Sequence, residues 1–250
     1  LNYLNHYDSN PYIDITWEDQ NGVTLDTVYV NLASNGNAGA GAGATGNATT
    51  TIQLHRAGTN ITTGGFLGGS DVANMIFTEK LNRINSYGGS FDTAIETSEL
   101  GPVVLRGEFL YDQGVKVPVI NKAAINIGDF YTGLKSEKAD FFKYVIGADI
   151  TALTNMMVSA QFIQLRNLDF IDETGVTPTV GGVTSNVAGT RYTGDMTTLH
   201  LSNSLNKAEE NKEFYSLFLS KPFGASGEHR WNNIFMFEEN GGKWNRLDAE

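Results

Sequence analysis

Bulky apolar residues alternate with small or polar ones in several separate stretches of this chain. In FDTAIETSELGPVVLRGEFLYDQG, Phe91, Thr93 and Ile95 alternate with Ser90, Asp92, Ala94 and Glu96. Beyond the SELGP break, Leu105, Gly107, Phe109 and Tyr111 alternate with Arg106 and Glu108. A period of two marks a β-strand with one apolar and one polar face. The spacing predicts strands over 83–96 and 103–112. A short turn centred on Leu100, Gly101 and Pro102 joins them, with the proline ending the ladder. A second hairpin is predicted in FFKYVIGADITALTNMMVSAQFIQLRN. There Phe142, Tyr144, Ile146, Ala148 and Ile150 face one way, and Lys143, Val145, Gly147 and Asp149 the other. Its turn falls at 151–155, and its return strand sets Val158, Ala160 and Phe162 against Ser159 and Gln161. The alternation blurs over 163–166, where a bulge is expected. A third hairpin, EFYSLFLSKPFGASGEHRWNNIFMFEEN, sets Tyr215, Leu217 and Leu219 against Ser216 and Ser220, and Trp231, Phe235 and Phe237 against Arg230, Asn232 and Glu238. A further strand spans 1–7, and another opens at Trp244.

The hairpin turns are short, while the connections over 8–74, 112–140 and 167–211 are long. The first connection contains a low-complexity Gly/Ala/Asn/Thr loop over 33–50, flanked by TLDTVYVNL and TTTIQLHR, which read as a projecting hairpin. In the second, KAAINIGDFYTGL reads as a short helix or a small hairpin. Tight turns at one end and long loops at the other are the pattern of an outer-membrane barrel, with periplasmic turns and extracellular loops. Its strands need about 9–11 residues to cross when tilted. Tyr87, Tyr111, Phe141, Phe142, Trp231 and Phe237 sit near strand ends, as interfacial aromatic girdles do. The expected fold is therefore all-β: an antiparallel transmembrane β-barrel, or a fragment of one. Residues 1–250 form a single barrel region that reads as continuing past both ends. Phe91, Ile95, Leu105, Phe109, Tyr144 and Ile146 are expected against lipid. Asp92, Glu96, Arg106, Glu108, Lys143, Asp149 and Gln161 are expected to line the lumen.

Composition fits strands and turns better than helices, with 28 Gly, 5 Pro and abundant Asn and Thr. The mean hydropathy of −0.23 is mildly polar, which does not count against a barrel because only alternate residues face lipid. No run approaches the roughly 18 apolar residues of a membrane helix. A net charge of −11 argues against a nucleic-acid partner, whose phosphates demand a basic surface. The absence of Cys excludes disulfides, thiolate metal sites and thiol nucleophiles.

Catalytic patterns are missing, and an enzyme is not expected. His6, His55, His200 and His229 stand far apart, without metal-ligand spacing, and read as surface residues. GGFLGGSD lacks the Lys-Ser/Thr of a phosphate loop and reads as a flexible loop. Asp169, Asp172 and Glu173 offer the oxygen ligands Ca²⁺ takes, but without the D-x-[DN]-x-[DN]-G spacing they read as a solvated acidic loop. No cofactor is expected.

GPVVLRGEFLYDQG and FFKYVIGADITALTNMMVSAQFIQLRN resemble the strands of an uncharacterised proteobacterial outer-membrane β-barrel family, a domain of unknown function with porin-like character. The likeness lies in the LRGEF strand, in Tyr144, Gly147 and Asp149 of a Y-x-x-G-x-D core, and in Ser159, Gln161 and Phe162 of an S-x-Q-F return strand. It covers about residues 83–170. The resemblance implies a Gram-negative outer-membrane location, and contact with lipid and lipopolysaccharide. It also implies passage of small, hydrophobic organic solutes, as a homo-oligomer or beside other envelope proteins. The competing reading of the same alternation is an extracellular β-protein of the bacterial surface, such as a filament, surface layer or adhesin, with no transport role.

Overall fold

The computed structural model describes residues 1–32, 49–59, 65–68, 71–126, 129–175, 179–180, 183–184, 190–195 and 205–250. In chain order the strands are β1 (Asn2–Tyr7), β2 (Tyr12–Asp19), β3 (Thr24–Leu32), β4 (Thr49–Arg56), β5 (Ala73–Lys80), β6 (Arg83–Thr97) and β7 (Gly101–Asn121). Two short helices follow, α1 (Lys122–Asn126) and α2 (Phe130–Gly133), and then β8 (Leu134–Ala152) and β9 (Met156–Asn167). Next come the short strands β10 (Thr174–Gly175), β11 (Thr179–Val180), β12 (Val183–Thr184) and β13 (Thr190–Thr193). The chain closes with β14 (Asn211–Phe223), β15 (His229–Glu238) and β16 (Lys243–Ala249).

A 10-stranded antiparallel sheet dominates, with the order β1-β6-β7-β8-β9-β14-β15-β16 and β13 and β10 joined to the far end of β7. The fold is thus all-β. The path ends on β1 and β16, which do not pair with each other among the described residues, so the sheet stands open. The three hairpins expected from the sequence are present, and their turns lie at one end of the sheet. The connections β1–β6, β7–β8, β9–β14 and β15–β16 all lie at the other end.

Turn chemistry explains the tight end. The Thr97 hydroxyl accepts from the Leu100 amide at 3.1 Å and donates to the Gly101 carbonyl at 2.8 Å. Pro102 does not end the ladder; it stands inside β7 opposite Glu96. In the third turn, the Glu228 carboxylate accepts from the Ser226 amide at 2.9 Å and its hydroxyl at 3.0 Å.

The strands differ from expectation in length: β6, β7 and β8 run 15, 21 and 19 residues. The connection expected over 112–140 shrinks to α1 and α2. No bulge interrupts 163–166, where β9 keeps an unbroken register with β8 and β14. The irregularity sits in β7 instead. Asp112 pairs with Phe141 but Val115 pairs with Ala139, so β7 carries one more residue than its partner there. Gly114, with φ +82°, takes the left-handed conformation that this step requires.

The extra residue reverses the facing of β7. Before it, Tyr111 and Phe109 share a face with Phe142 and Tyr144; after it, Val115, Val117 and Val119 lie on the face of Asp112 and Glu108. Val117, Val119 and Ala139 there form a buried core, with Phe141, Val115 and Ile171 packed against it. At this end, then, apolar residues turn inward as in a water-soluble protein.

A 4-stranded sheet, β4-β3-β2-β5, fills the connection between β1 and β6 and contains the expected β3–β4 hairpin. The low-complexity loop at 33–48 lies outside the described residues, and only its last residues, Thr49 and Thr50, belong to β4. Asp19, 2% exposed, knits this sheet by accepting from Arg56 Nε at 2.8 Å and from the Asn21 and Val23 amides, each at 2.9 Å. The Arg56 guanidinium, with the Val23 amide next in weight, holds the Asp19 carboxyl below its ordinary value. The two sheets meet where the Ser136 hydroxyl donates to the Ile13 carbonyl at 3.2 Å.

Candidate functional site: an aromatic face and a charged face

Cross-strand partners share a face. By that rule Phe91, Ile95, Leu105, Phe109, Tyr144 and Ile146 all lie on one face of the large sheet. Phe91 is 58% exposed and Ile146 55% exposed, and no other layer among the described residues covers them. Two interlocked pairs pack within this face. The Phe91 ring lies over Gly107 and the Phe109 ring over Gly89, so closely that a Cβ on either glycine would collide with its ring. Glycine in these strands makes room for a neighbouring aromatic ring.

An aromatic band crosses this face, stepping four residues along β8 toward the turns between Tyr111, opposite Phe142, and Phe162, opposite Ile146. Ring centroids run from Tyr3 to Tyr87 at 5.0 Å and from Tyr87 to Tyr111 at 6.1 Å. Tyr111 stands opposite Phe142, from which the line continues to Tyr144 (5.8 Å), Phe162 (5.9 Å) and Tyr215 (5.1 Å), with Phe237 opposite Tyr215. The hydroxyls of this band reach toward the long-loop end. Tyr3 donates to Asn85 Oδ1 at 3.0 Å, Tyr215 to Glu213 at 3.2 Å, and Tyr111 to Asp140. Immediately beyond the band the same face turns polar, with Asn85, Gln113, Gln164 and Glu213, the last two bonded at 2.6 Å. Toward the turns it stays largely apolar. Of the aromatic residues singled out in the sequence, Tyr87, Tyr111, Phe142 and Phe237 belong to this band. Trp231 stands on the same face near the turns, whereas Phe141 lies on the opposite face.

Asp140 ties the band to the bulge. It takes the Tyr111 hydroxyl on one oxygen and the Gly114 amide, at 2.9 Å, on the other. The device that flips β7 and the band tyrosine beside it thus share one carboxylate.

Asp92, Glu96, Arg106, Glu108, Lys143, Asp149 and Gln161 all lie on the opposite face. Arg106 pairs with Asp149 at 2.6 Å, and Lys143 with Asp112 at 2.7 Å. Asp112 also accepts from the Ser86 hydroxyl, which lies 2.9 Å from His6 Nε2. Several of these groups are well occluded, with Asp149 at 9%, Ser159 at 7% and Asp112 at 4% exposure. Gln161 accepts weakly, at 3.5 Å, from Ser216. Asp92, Glu96 and Glu108 are exposed and form no ion pair among the described residues. Arg106 and Lys143 are thus neutralised on the charged face, while Lys212 and Arg230 on the same face, like the three carboxylates, form no ion pair among the described residues. Sequence reasoning missed Asp112, Ser86 and His6. Continuing the β7 alternation one step beyond Tyr111 places Asp112 with Glu108 and Arg106, a signal that was available.

No protein-family model, curated protein or solved structure matches this chain. The resemblance to an outer-membrane family therefore rests on the strand motifs alone.

Of the carboxylates considered for Ca²⁺, Asp169 accepts from the Asp140 amide at 2.8 Å and Asp172 pairs with Lys207, while Glu173 is exposed and has no partner among the described residues. No trio of metal-ligating side chains occurs among the described residues. The histidines do not share one environment. His55, expected on the surface, is buried in the smaller sheet at 2% exposure, its Nε2 2.9 Å from the Thr59 hydroxyl and its ring edge-on to Phe66. His200 lies outside the described residues. No described helix is long and apolar enough to cross a membrane, which leaves a strand-built span untouched.

Proposed function

We propose that the large sheet is wall material of an outer-membrane, porin-like β-barrel whose charged face lines a passage for small solutes. One observation carries this reading: an exposed apolar face that ends at a line of tyrosines whose hydroxyls point toward the polar, long-loop end. In water such a face has no physical reason to exist at this extent. Against lipid, the apolar rings fill the hydrocarbon boundary and the hydroxyls reach the wet headgroup level. The ion-paired opposite face suits a water-filled interior. The turns are then periplasmic and the long connections extracellular. The open edges of β1 and β16 call for further strands to close the ring, since an unpaired edge is not tolerated in hydrocarbon. The free carboxylates Asp92, Glu96 and Glu108 favour polar, cationic solutes, whereas the family resemblance points to hydrophobic organic compounds.

The test is reconstitution of the full chain in planar bilayers. Ohmic channels with detergent-dependent solubility and heat-modifiable gel migration are the expected result, and Arg106→Gln should raise cation preference in the reversal potential. A monodisperse protein in detergent-free buffer that yields no conductance would refute the barrel. Ordered filaments under those conditions would favour the surface-protein reading.

A further inference from the structure

The connection from β9 to β14 crosses the sheet. β9 lies beside β8, whereas β13 pairs with β7 on its other side, beyond the last rung of β6 at Gln113. Between them the chain passes over both β8 and β7. Ile171 fixes the side of passage, because it packs against Val117, Val119 and Ala139 on the charged face. Both ends of the crossing are moored. Beside β9, the Leu168 amide donates to the Asp140 carbonyl and the Asp140 amide to the Asp169 carboxylate, each at 2.8 Å. Beside β13, the Ile171 amide donates to the Thr193 hydroxyl and the Thr193 amide to the Ile171 carbonyl, each at 2.9 Å.

The returning chain adds a second ply. Residues 206–208 run antiparallel to 193–195, with Asp195 to Asn206 and Ala208 to Thr193 bonds at 2.9 Å. The Asn167 amide then donates to the Glu210 carbonyl at 2.9 Å as the chain reaches β14. Lys207 clasps the two plies, pairing with Asp172 and standing 5.7 Å over the Phe170 ring. Arg191 reaches from β13 across β7 to Glu137 on β8 at 2.5 Å.

We propose that these two plies form a strap that narrows the long-loop mouth of the passage and makes it selective for cations. This role rests on the barrel reading above, in which the charged face is the interior. A connection with no part in the interior runs outward over the surface. This one buries an isoleucine on the inner wall, on the valines that the bulge at Gly114 turns to that side. The bulge therefore supplies the strap with its landing. Glu173 and Glu209 lie on the two plies, are exposed, and form no ion pair among the described residues. Carboxylates held over a narrowed opening concentrate cations and repel anions.

The experiment records single channels of the full chain in planar bilayers under a potassium chloride gradient, alongside limited trypsin digestion. Ile171→Asp sets a carboxylate on the apolar landing and should release the strap. Cleavage at Lys207 should rise about tenfold, the equivalent of one partly buried aliphatic side chain, and unitary conductance should increase. Ile171→Leu should match wild type in both. Glu173→Gln/Glu209→Gln, at exposed positions, should keep the wild-type conductance while its reversal potential moves toward that of anions. Heat-modifiable migration shows that each variant is folded. A folded Ile171→Asp that stays uncut, or that is cut and still conducts as wild type, would overturn the strap with the barrel intact. An unchanged reversal potential in the double glutamine variant would overturn its selectivity. Absence of conductance in the wild type would overturn the barrel itself.

Discussion

Replacing Ile146 by arginine separates a lipid-facing surface from a water-facing one by the sign and size of its effect. Ile146 is 55% exposed, pairs with Gly107 on one side and Phe162 on the other, and lies four positions toward the turns from Phe142, the partner of Tyr111. Four steps cover about 13 Å of strand, or about 10 Å of depth at the tilt of roughly 40° usual for such barrels. That is near the middle of an apolar band about 25 Å tall, where an outward arginine costs about 2–4 kcal/mol. A value of about 3 kcal/mol lowers the folded ratio by about a hundredfold. If this face met water, the same change at a half-exposed site would stay within about 0.5 kcal/mol. Equilibrium urea unfolding from phosphatidylcholine vesicles, followed by tryptophan fluorescence, measures the difference. Ser90→Arg is the matched control: it adds the same charge to the opposite face, where its cross-strand neighbour is Glu108, and should cost under about 0.5 kcal/mol. A near-zero effect of Ile146→Arg, or equal effects of the two changes, would refute the assignment of faces.

Three further outcomes are expected. Gly107→Val drives a side chain into the space of the Phe91 ring and should cost about 1–3 kcal/mol in the same titration, with most of the loss recovered by adding Phe91→Ala. Asp140→Ala leaves the Tyr111 hydroxyl and the Gly114 amide without their shared acceptor. It should cost about 1–3 kcal/mol and speed amide exchange at Gly114 measured by NMR in detergent micelles. In the smaller sheet, the Asp19 carboxyl is held below its ordinary value of 3.8 by Arg56. Its contribution is therefore present above that pH and lost as pH falls through the depressed folded value. A variant keeping Trp17 as its single tryptophan should report acid loosening of this sheet, and Asp19→Asn should flatten that pH dependence.

Much of the large sheet was legible because its signal is local. Alternation over Phe91–Ile95, Phe142–Ile150 and Tyr215–Leu219 fixes both strand and face, and the Gly- and Pro-containing turns fix the hairpins. The partition of faces followed, since a period of two leaves each side chain one of two places. What stayed hidden depends on a change of period or on distant partners. VKVPVIN alternates as well as any strand in the chain, but its phase relative to GEFLYD is set by one extra residue near Gly114, and no local rule reveals which face it takes. The 112–140 stretch therefore read as a connection. Burial of His55 depends on Phe66 and on the folding of a separate small sheet, neither of which a sequence spacing announces. Asp140 stands at the end of the predicted 112–140 connection, and only the hairpin register brings it to Tyr111 and Gly114.

The bulge also acts as a ruler. From Gly101 to Tyr111 the strand advances about 33 Å, which at a tilt of roughly 40° projects to about 25 Å, the hydrocarbon thickness of an outer membrane. β7 continues with apolar residues for a further stretch, Val115 to Ile120. Were the phase unbroken, Val115, Val117 and Val119 would extend the greasy stripe by about 20 Å, and the wall would suit no bilayer. One glycine-permitted step turns that surplus inward, into a core. If the sheet is barrel wall as proposed, its hydrophobic length is set by where the phase slips, and sliding the slip along β7 would tune the bilayer thickness it matches.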